Sequence, residues 1–79
     1  MNKDMGNLSN KICKRVKFER MKRNLTQEQL AELANVGRNT VSNIERGESS
    51  PSIETLEKLA KAFEMDVLEF IDISNISLF

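Results

Sequence analysis

From Ser9 the apolar positions fall into a helical period. Ile12, Val16 and Arg20 recur every four residues, Lys and Arg fill the other faces, and Asn24 sits where such a helix would stop. Thr26-Gln27-Glu28-Gln29 has the form of a capping box, in which the Thr hydroxyl accepts a backbone N–H and Gln29 reaches back, so a second helix is predicted from Gln27. Its apolar residues Leu30, Ala31, Leu33 and Ala34 end at Asn35-Val36-Gly37, and Asn and Gly best tolerate left-handed or cap geometry. A short third helix is predicted over 38–46, with Val41, Ile44 and Glu45 on one side and Gly47 as its stop. Ser52 can cap a fourth helix with the stripe Ile53, Leu56, Leu59, Ala60 and Phe63. Asp66 can cap a fifth carrying Val67, Phe70 and Ile71. Residues 1–9 lack a period and are expected to form a flexible arm, 10–72 a folded domain, and 73–79 an apolar C-terminal tail.

Composition narrows the chemistry. Leu, Ile, Val and Phe make up 22 of the 79 residues, enough for a charge-rich chain of this size to fold as one small domain. The chain has no His, which removes Ser-His-Asp and Cys-His catalysis and any imidazole metal ligand, so no enzyme, metal or cofactor is expected. Glu54, Glu57 and Lys58 read as an exposed helix face. The single Cys13 excludes an internal disulfide. Neighbouring Lys residues could lower its pKa, but a small half-buried filler is the favoured reading. With no signal pattern or long apolar run, a cytoplasmic setting without membrane contact is the expectation.

The formal net charge is zero, but it is unevenly distributed. Residues 1–25 carry eight Lys or Arg against two Asp or Glu, giving +6; residues 26–79 carry four against ten, giving −6. Screening over roughly 8 Å at physiological salt lets a partner feel the nearer patch and not the total. Neutrality therefore does not exclude a nucleic-acid partner.

Two short helices joined by a turn of about three residues describe a helix-turn-helix, with the small Ala31 where the pair must pack closely. The run QEQLAELANVGRNTVSNIERG (27–47), Pro51-Ser52 and the amphipathic stretch to Phe70 resemble the Cro and phage-repressor type, the xenobiotic-response-element family of small regulators. That resemblance implies an all-α, five-helix, lambda-repressor-like DNA-binding domain acting as a homodimer on a double-stranded operator. It implies base contacts at Arg38, Asn39 and Asn43, and Arg and Asn can pair bidentately with guanine and adenine edges respectively. Gln27 and Thr40, and more weakly Arg46 and Ser49, match positions that touch the DNA backbone. The family also implies a structural ion pair between Arg20 and Glu45. The residues alone point the same way, since each extends an apolar stripe and a buried charge must be paired. Three positions depart from the family pattern: Asn35 and Glu64 stand where Gly is common, and Gly37 where a capping Ser or Thr is common.

The favoured reading is a sequence-specific transcriptional repressor on a palindromic operator, with helix 38–46 in the major groove. The alternative is a protein-interaction module, such as an antitoxin or adaptor, since such proteins share this domain. Dimerisation is expected through Phe63, Phe70 and Ile71 and the tail residues Ile73, Ile76, Leu78 and Phe79, because a domain this small buries a modest core. No room is evident for a small-molecule effector site.

Overall fold

The structure, a computed structural model, describes the backbone of residues 3–72 and the side chains of residues 9–72. Five helices follow one another: α1 (Lys3–Lys22), α2 (Gln27–Ala34), α3 (Arg38–Glu45), α4 (Ile53–Ala62) and α5 (Val67–Phe70). The helix α1 starts well before Ser9, so residues 3–8 are helical where an arm was expected. Extending a helix that packing already holds carries no nucleation cost, and that overrides the missing period. Ile73, Ile76, Leu78 and Phe79 lie outside the described residues.

The helix ends are built alike. After α1, α2, α3 and α4, one residue turns left-handed: Asn24, Asn35, Gly47 and Glu64, with φ of 57°, 58°, 74° and 60°. In each case the next amide bonds back five residues, Leu25 to Arg20, Val36 to Ala31, Glu48 to Asn43 and Met65 to Ala60, which satisfies carbonyls that a helix end leaves free. Leu25, Val36 and Met65 then pack against the core, as this closure favours. Glu64 keeps the left-handed geometry although it has a Cβ, so the turn after α4 retains the shape that Gly would give it.

The helix starts differ from one another. At α2 the capping box is complete, with the Gln29 amide donating to Thr26 Oγ1 at 3.0 Å and the Thr26 amide to Gln29 Oε1 at 2.8 Å. At α4 the Thr55 amide donates to Ser52 Oγ at 3.1 Å. Gly37 cannot cap α3, and Asp66 occupies the cap position of α5 without a side-chain bond to it, contrary to its predicted role.

The core is Cys13 and Val16 from α1, Leu30, Ala31 and Ala34 from α2, Val41 and Ile44 from α3, Leu56, Leu59 and Ala60 from α4, then Phe63 and Phe70. The helix α2 packs on both α3 and α4, and α1 packs on α3. Ile53 and Leu33, read as members of buried stripes, are exposed, Ile53 by 76%. Each lies at the edge of its helix's apolar arc, where the period alone does not say how wide the contact is. Phe63 and Phe70 are each 1% exposed, with ring centroids 5.6 Å apart. They are thus core residues of one copy and cannot form the expected interface. Cys13 is fully buried rather than half-buried, and burial pushes its thiol pKa up despite a lowering hydrogen bond from Ser9.

Two ion-pair networks hold α1 in place. In the first, Arg20 Nε donates to Glu45 Oε2 at 2.7 Å and Arg20 Nη2 to Glu45 Oε1 at 3.0 Å, while Arg20 Nη1 donates to the Leu25 carbonyl at 2.7 Å. Gln27 Nε2 adds a bond to Glu45 Oε1 at 3.1 Å. The side chains of Arg20 and Glu45 are only 14% and 3% exposed, so α1, the start of α2 and the end of α3 share one satisfied buried cluster. In the second, buried Glu19 accepts from Arg15 and Arg23, and Arg23 also donates to the Phe63 carbonyl at 2.8 Å and stacks 4.8 Å over its ring. Burial pushes the Glu19 carboxyl up, but the hydrogen bonds and charges of Arg23 and Arg15 outweigh it and hold the pKa below the ordinary value.

Arg20→Ala or Glu45→Ala alone is expected to destabilise by roughly 3 to 5 kcal/mol, since the survivor is left buried and unpaired. Replacing both with apolar residues of similar size should cost less than the two singles together. Urea denaturation of the three variants checks this, and single changes each costing under about 1 kcal/mol would place the pair in solvent.

The depressed Glu19 pKa contributes stability that is full above the unfolded glutamate value of about 4.3 and is lost as pH falls through the lower folded value. Glu19→Gln should therefore be less stable than the parent near neutrality and should show a flatter loss of stability in acid. Denaturant midpoints followed from about pH 6 to pH 2 give the comparison; parallel curves for the two proteins would assign the acid dependence to other groups.

Candidate nucleic-acid interface

The face of α3 away from α1 and α2 carries the polar residues singled out in the sequence. Val41 and Ile44 point into the core, while Arg38 and Asn39 are exposed and Ser42 and Asn43 are half-buried at its surface. Asn39 and Asn43 lie one turn apart, and so do Arg38 and Ser42. Thr40 is half-buried, and its amide closes the first turn on the Gly37 carbonyl at 3.0 Å. This helix is short, and isolated helices of its length are unstable in water; its orientation comes from the two buried aliphatic residues and from Glu45 locked by Arg20.

The expected backbone contacts are distributed less evenly. Gln27 is at the first turn of α2, but its side-chain amide is bonded to Glu45. It belongs to the buried cluster as much as to the surface. Arg46 is exposed at the end of α3, where its guanidinium donates to Ser42 Oγ, Asn43 Oδ1 and Glu48 Oε1. Ser49 is exposed in the loop after α3, and its carbonyl receives a weak contact from Cys13 Sγ at 3.8 Å. The adjacent Ser50 hydroxyl lies 2.6 Å from that of Ser9 on α1, which ties the loop to the same helix that holds α3.

The structure also changes the meaning of the charge pattern. Arg15, Arg20 and Arg23, three of the eight basic residues among the first 25, are engaged by Glu19 and Glu45. On α3 and its end, Arg46 is paired with Glu48, and Arg38 is left with no ion pair among the described residues. Sequence reasoning missed Glu19, whose burial between two arginines spaced four residues either side was legible as a pattern. It also missed Ser42 and Glu48, which matter only once the turn at Gly47 folds back. Among the described residues no cluster of His, Cys, Asp and Glu could hold a metal ion, and no helix is long and apolar enough to cross a membrane.

The comparisons with known proteins agree with this geometry. The cryptic phage CTXphi transcriptional repressor RstR of Vibrio cholerae is 39% identical over 59 residues, 75% of this chain and 53% of the repressor. The immunity repressor protein of Bacillus phage phi105 is 46% identical over 56 residues, 71% of this chain and 39% of that protein. The chain thus spans about half or less of the length of these two relatives. Among solved structures, the restriction-modification controller protein C.AhdI from Aeromonas hydrophila superposes with a TM-score of 0.73 at 31% identity, over 81% of this chain and 96% of its own. The wild-type controller protein C.Esp1396I gives 0.77 at 29% identity, over 91% of each chain. The helix-turn-helix family HTH_3 matches residues 16–70, from the buried Val16 of α1 to the core Phe70 of α5, and the chain belongs to that family.

Proposed function

We propose that the chain is a sequence-specific regulator of transcription, a repressor, that binds double-stranded operator DNA as a homodimer with α3 in the major groove. The observation that carries this reading is the row of base-reading side chains, Arg38, Asn39 and Asn43, on the outward face of a helix whose inward face is pinned by Val41, Ile44 and the Arg20–Glu45 pair. Arg presents a fork matched to guanine O6 and N7, and the amide of Asn can serve as donor and acceptor at once. The amides that begin α2 suit a phosphate, with Thr40, Ser49 and Gln27 as candidates to position the backbone. The repressors named above support the functional class, and the controller proteins show that a domain of this length stands as a crystallised protein.

Because so few cations are free near α3, base contacts carry a large share of affinity and discrimination, and the dependence of binding on salt is expected to be shallow for a DNA-binding dimer. Arg38→Ala and Asn39→Ala should each weaken operator binding by roughly 1 to 3 kcal/mol and relax preference at one base position per half-site, while binding to scrambled DNA changes little. The measurement is a titration of the parent and both variants against a site selected from random DNA and against its scramble. Equal affinity of the parent for the two DNAs would favour the protein-interaction reading.

With Phe63 and Phe70 in the core, the dimer contact passes to the outer side of α5, where Leu68 is 69% exposed and Ile71 is half-buried. Two copies joined there would need to hold their α3 helices about 34 to 36 Å apart to enter successive major grooves. Sedimentation equilibrium should show a dimer for the parent and a monomer for Leu68→Asp. A parent that remains monomeric at high concentration, with and without DNA, would exclude this assembly.

A further inference from the structure

Two faces of the chain are apolar at the centre and charged around it, and their charges are opposite. On α1, Phe18 and Met21 are 60% and 57% exposed. Lys14 and Lys22 flank Phe18 one turn to either side and Lys11 lies about a turn further back, so the five residues form one stripe. The Lys22 ammonium lies 5.9 Å from the centre of the Phe18 ring, and Lys11, Lys14 and Lys22 make no ion pair among the described residues. On α5, Leu68 is 69% exposed. Glu64, Asp66 and Glu69, all exposed, lie within four residues of it and are likewise without an ion pair among the described residues.

Phe18 and Arg20 are two positions apart, about 200° round the helix. The stripe is thus on the side of α1 opposite the one that holds α3 through Glu45, and a partner seated on it leaves α3 open. The two faces belong to neighbouring helices, because Arg23 of α1 stacks over the Phe63 ring and Phe63 packs on Phe70 of α5. Leu68, two positions before the buried Phe70, points away from that contact.

If α5 met α5 of a second copy across a twofold axis, Leu68 would bring the acidic residues of both copies together. Like charges disfavour an interface, whereas opposite charges speed encounter and fix the register. A twofold axis that sets α5 on α1 of the partner makes the contact twice, since the partner's α5 then meets α1 of the first copy. The apolar side chains supply the attraction, and the exposed charges, weak as individual pairs, choose the face.

We infer that the dimer is closed by reciprocal docking of the Leu68 face of α5 on the Phe18–Met21 stripe of α1 in a second copy of this chain. The inference rests on the homodimer proposed above and adds to it the surface that α5 meets.

The test is sedimentation equilibrium, without DNA, of the parent, Phe18→Asp and Leu68→Lys, each first checked for parent-like helical content by circular dichroism. Both substitutions fall on exposed side chains outside the core. The parent should be a dimer, and each variant should have its dissociation constant raised roughly tenfold or more. An equimolar mixture of the two variants should recover a dimer. Phe18→Asp keeps the α5 face and Leu68→Lys keeps the α1 stripe, so the mixed pair has one native contact and sets the new Asp against the new Lys in the other. Raising salt from about 0.05 to about 0.5 M should loosen the parent dimer by screening opposite charges, where an α5-on-α5 dimer would tighten. Lys14→Glu combined with Lys22→Glu leaves the apolar residues in place and should also weaken the dimer, which keeps the test open if Phe18→Asp does not fold.

A parent dimer that Phe18→Asp and the double Lys variant leave intact would overturn the inference while keeping the homodimer, and so would variants that fail to rescue each other. A lowered melt of Phe18→Asp with the dimer retained would overturn it by giving the α1 stripe to residues 73–79 of the same copy. A monomeric parent would remove the homodimer and the inference with it.

Discussion

The position of α3 depends on one buried ion pair. Glu45 is at the last turn of α3 and Arg20 near the end of α1, 25 residues apart, and both Arg20 nitrogens in the fork are within 3.0 Å of a carboxylate oxygen. Arg20 also holds the Leu25 carbonyl and Glu45 also holds Gln27, so the turn between α1 and α2, the first residue of α2 and the end of α3 meet at a single point. Such a pair adds little net stability, because desolvation offsets its attraction, but its geometry is demanding. Hydrophobic contacts at Val41 and Ile44 tolerate some sliding of α3, whereas a bidentate fork does not. The pair therefore fixes where the exposed residues of α3 stand.

The same economy explains why a neutral chain can present a binding face. Acidic residues are used inside the molecule: Glu19 and Glu45 neutralise Arg15, Arg23 and Arg20, and each is more buried than its partners. Three of the eight basic residues among the first 25 are thus structural, and α1 acts as a strut that joins the end of α3 at one point and the end of α4 at another through Arg23 and Phe63. In the function proposed here, discrimination falls to a few directional groups on α3, where hydrogen-bond pattern and not net charge would do the selecting.

Compactness at this size also requires cheap helix ends. Four of the helices close with a left-handed residue and a bond five residues back, and three of those closures place an apolar side chain on the core. The fourth, after α3, places Glu48 in solvent beside Arg46 and not an apolar group on the core. At that end the closure organises surface chemistry where elsewhere it contributes burial.

Much of this was legible in the linear chain. Period and caps mark α2, α3 and α4 because a capping box, Asn-x-Gly and Ser-x-x-Thr act over four residues or fewer, and such local signals do not need the rest of the fold. The Arg20–Glu45 pairing was legible for a different reason: two charges on apolar stripes each require a partner, and the family resemblance matches them to each other. Other features could only be decided in three dimensions. Residues 3–8 are helical because the helix they extend is already packed, and Ile53 and Leu33 are exposed because the contact is narrower than the apolar arc. Phe63 and Phe70 could have served a core or an interface equally well by type; the chain reversal at Glu64 and Met65 turns them against each other. The orientation of Asn43 depends on Arg46 and Glu48, which meet only after Gly47 turns the chain back. Sequence determined which side chains carry donors and acceptors suited to a base edge, and the tertiary structure decided how the helix that bears them is held, because the burial of Val41 and Ile44 and the Arg20–Glu45 pair join residues that only the folded chain brings together.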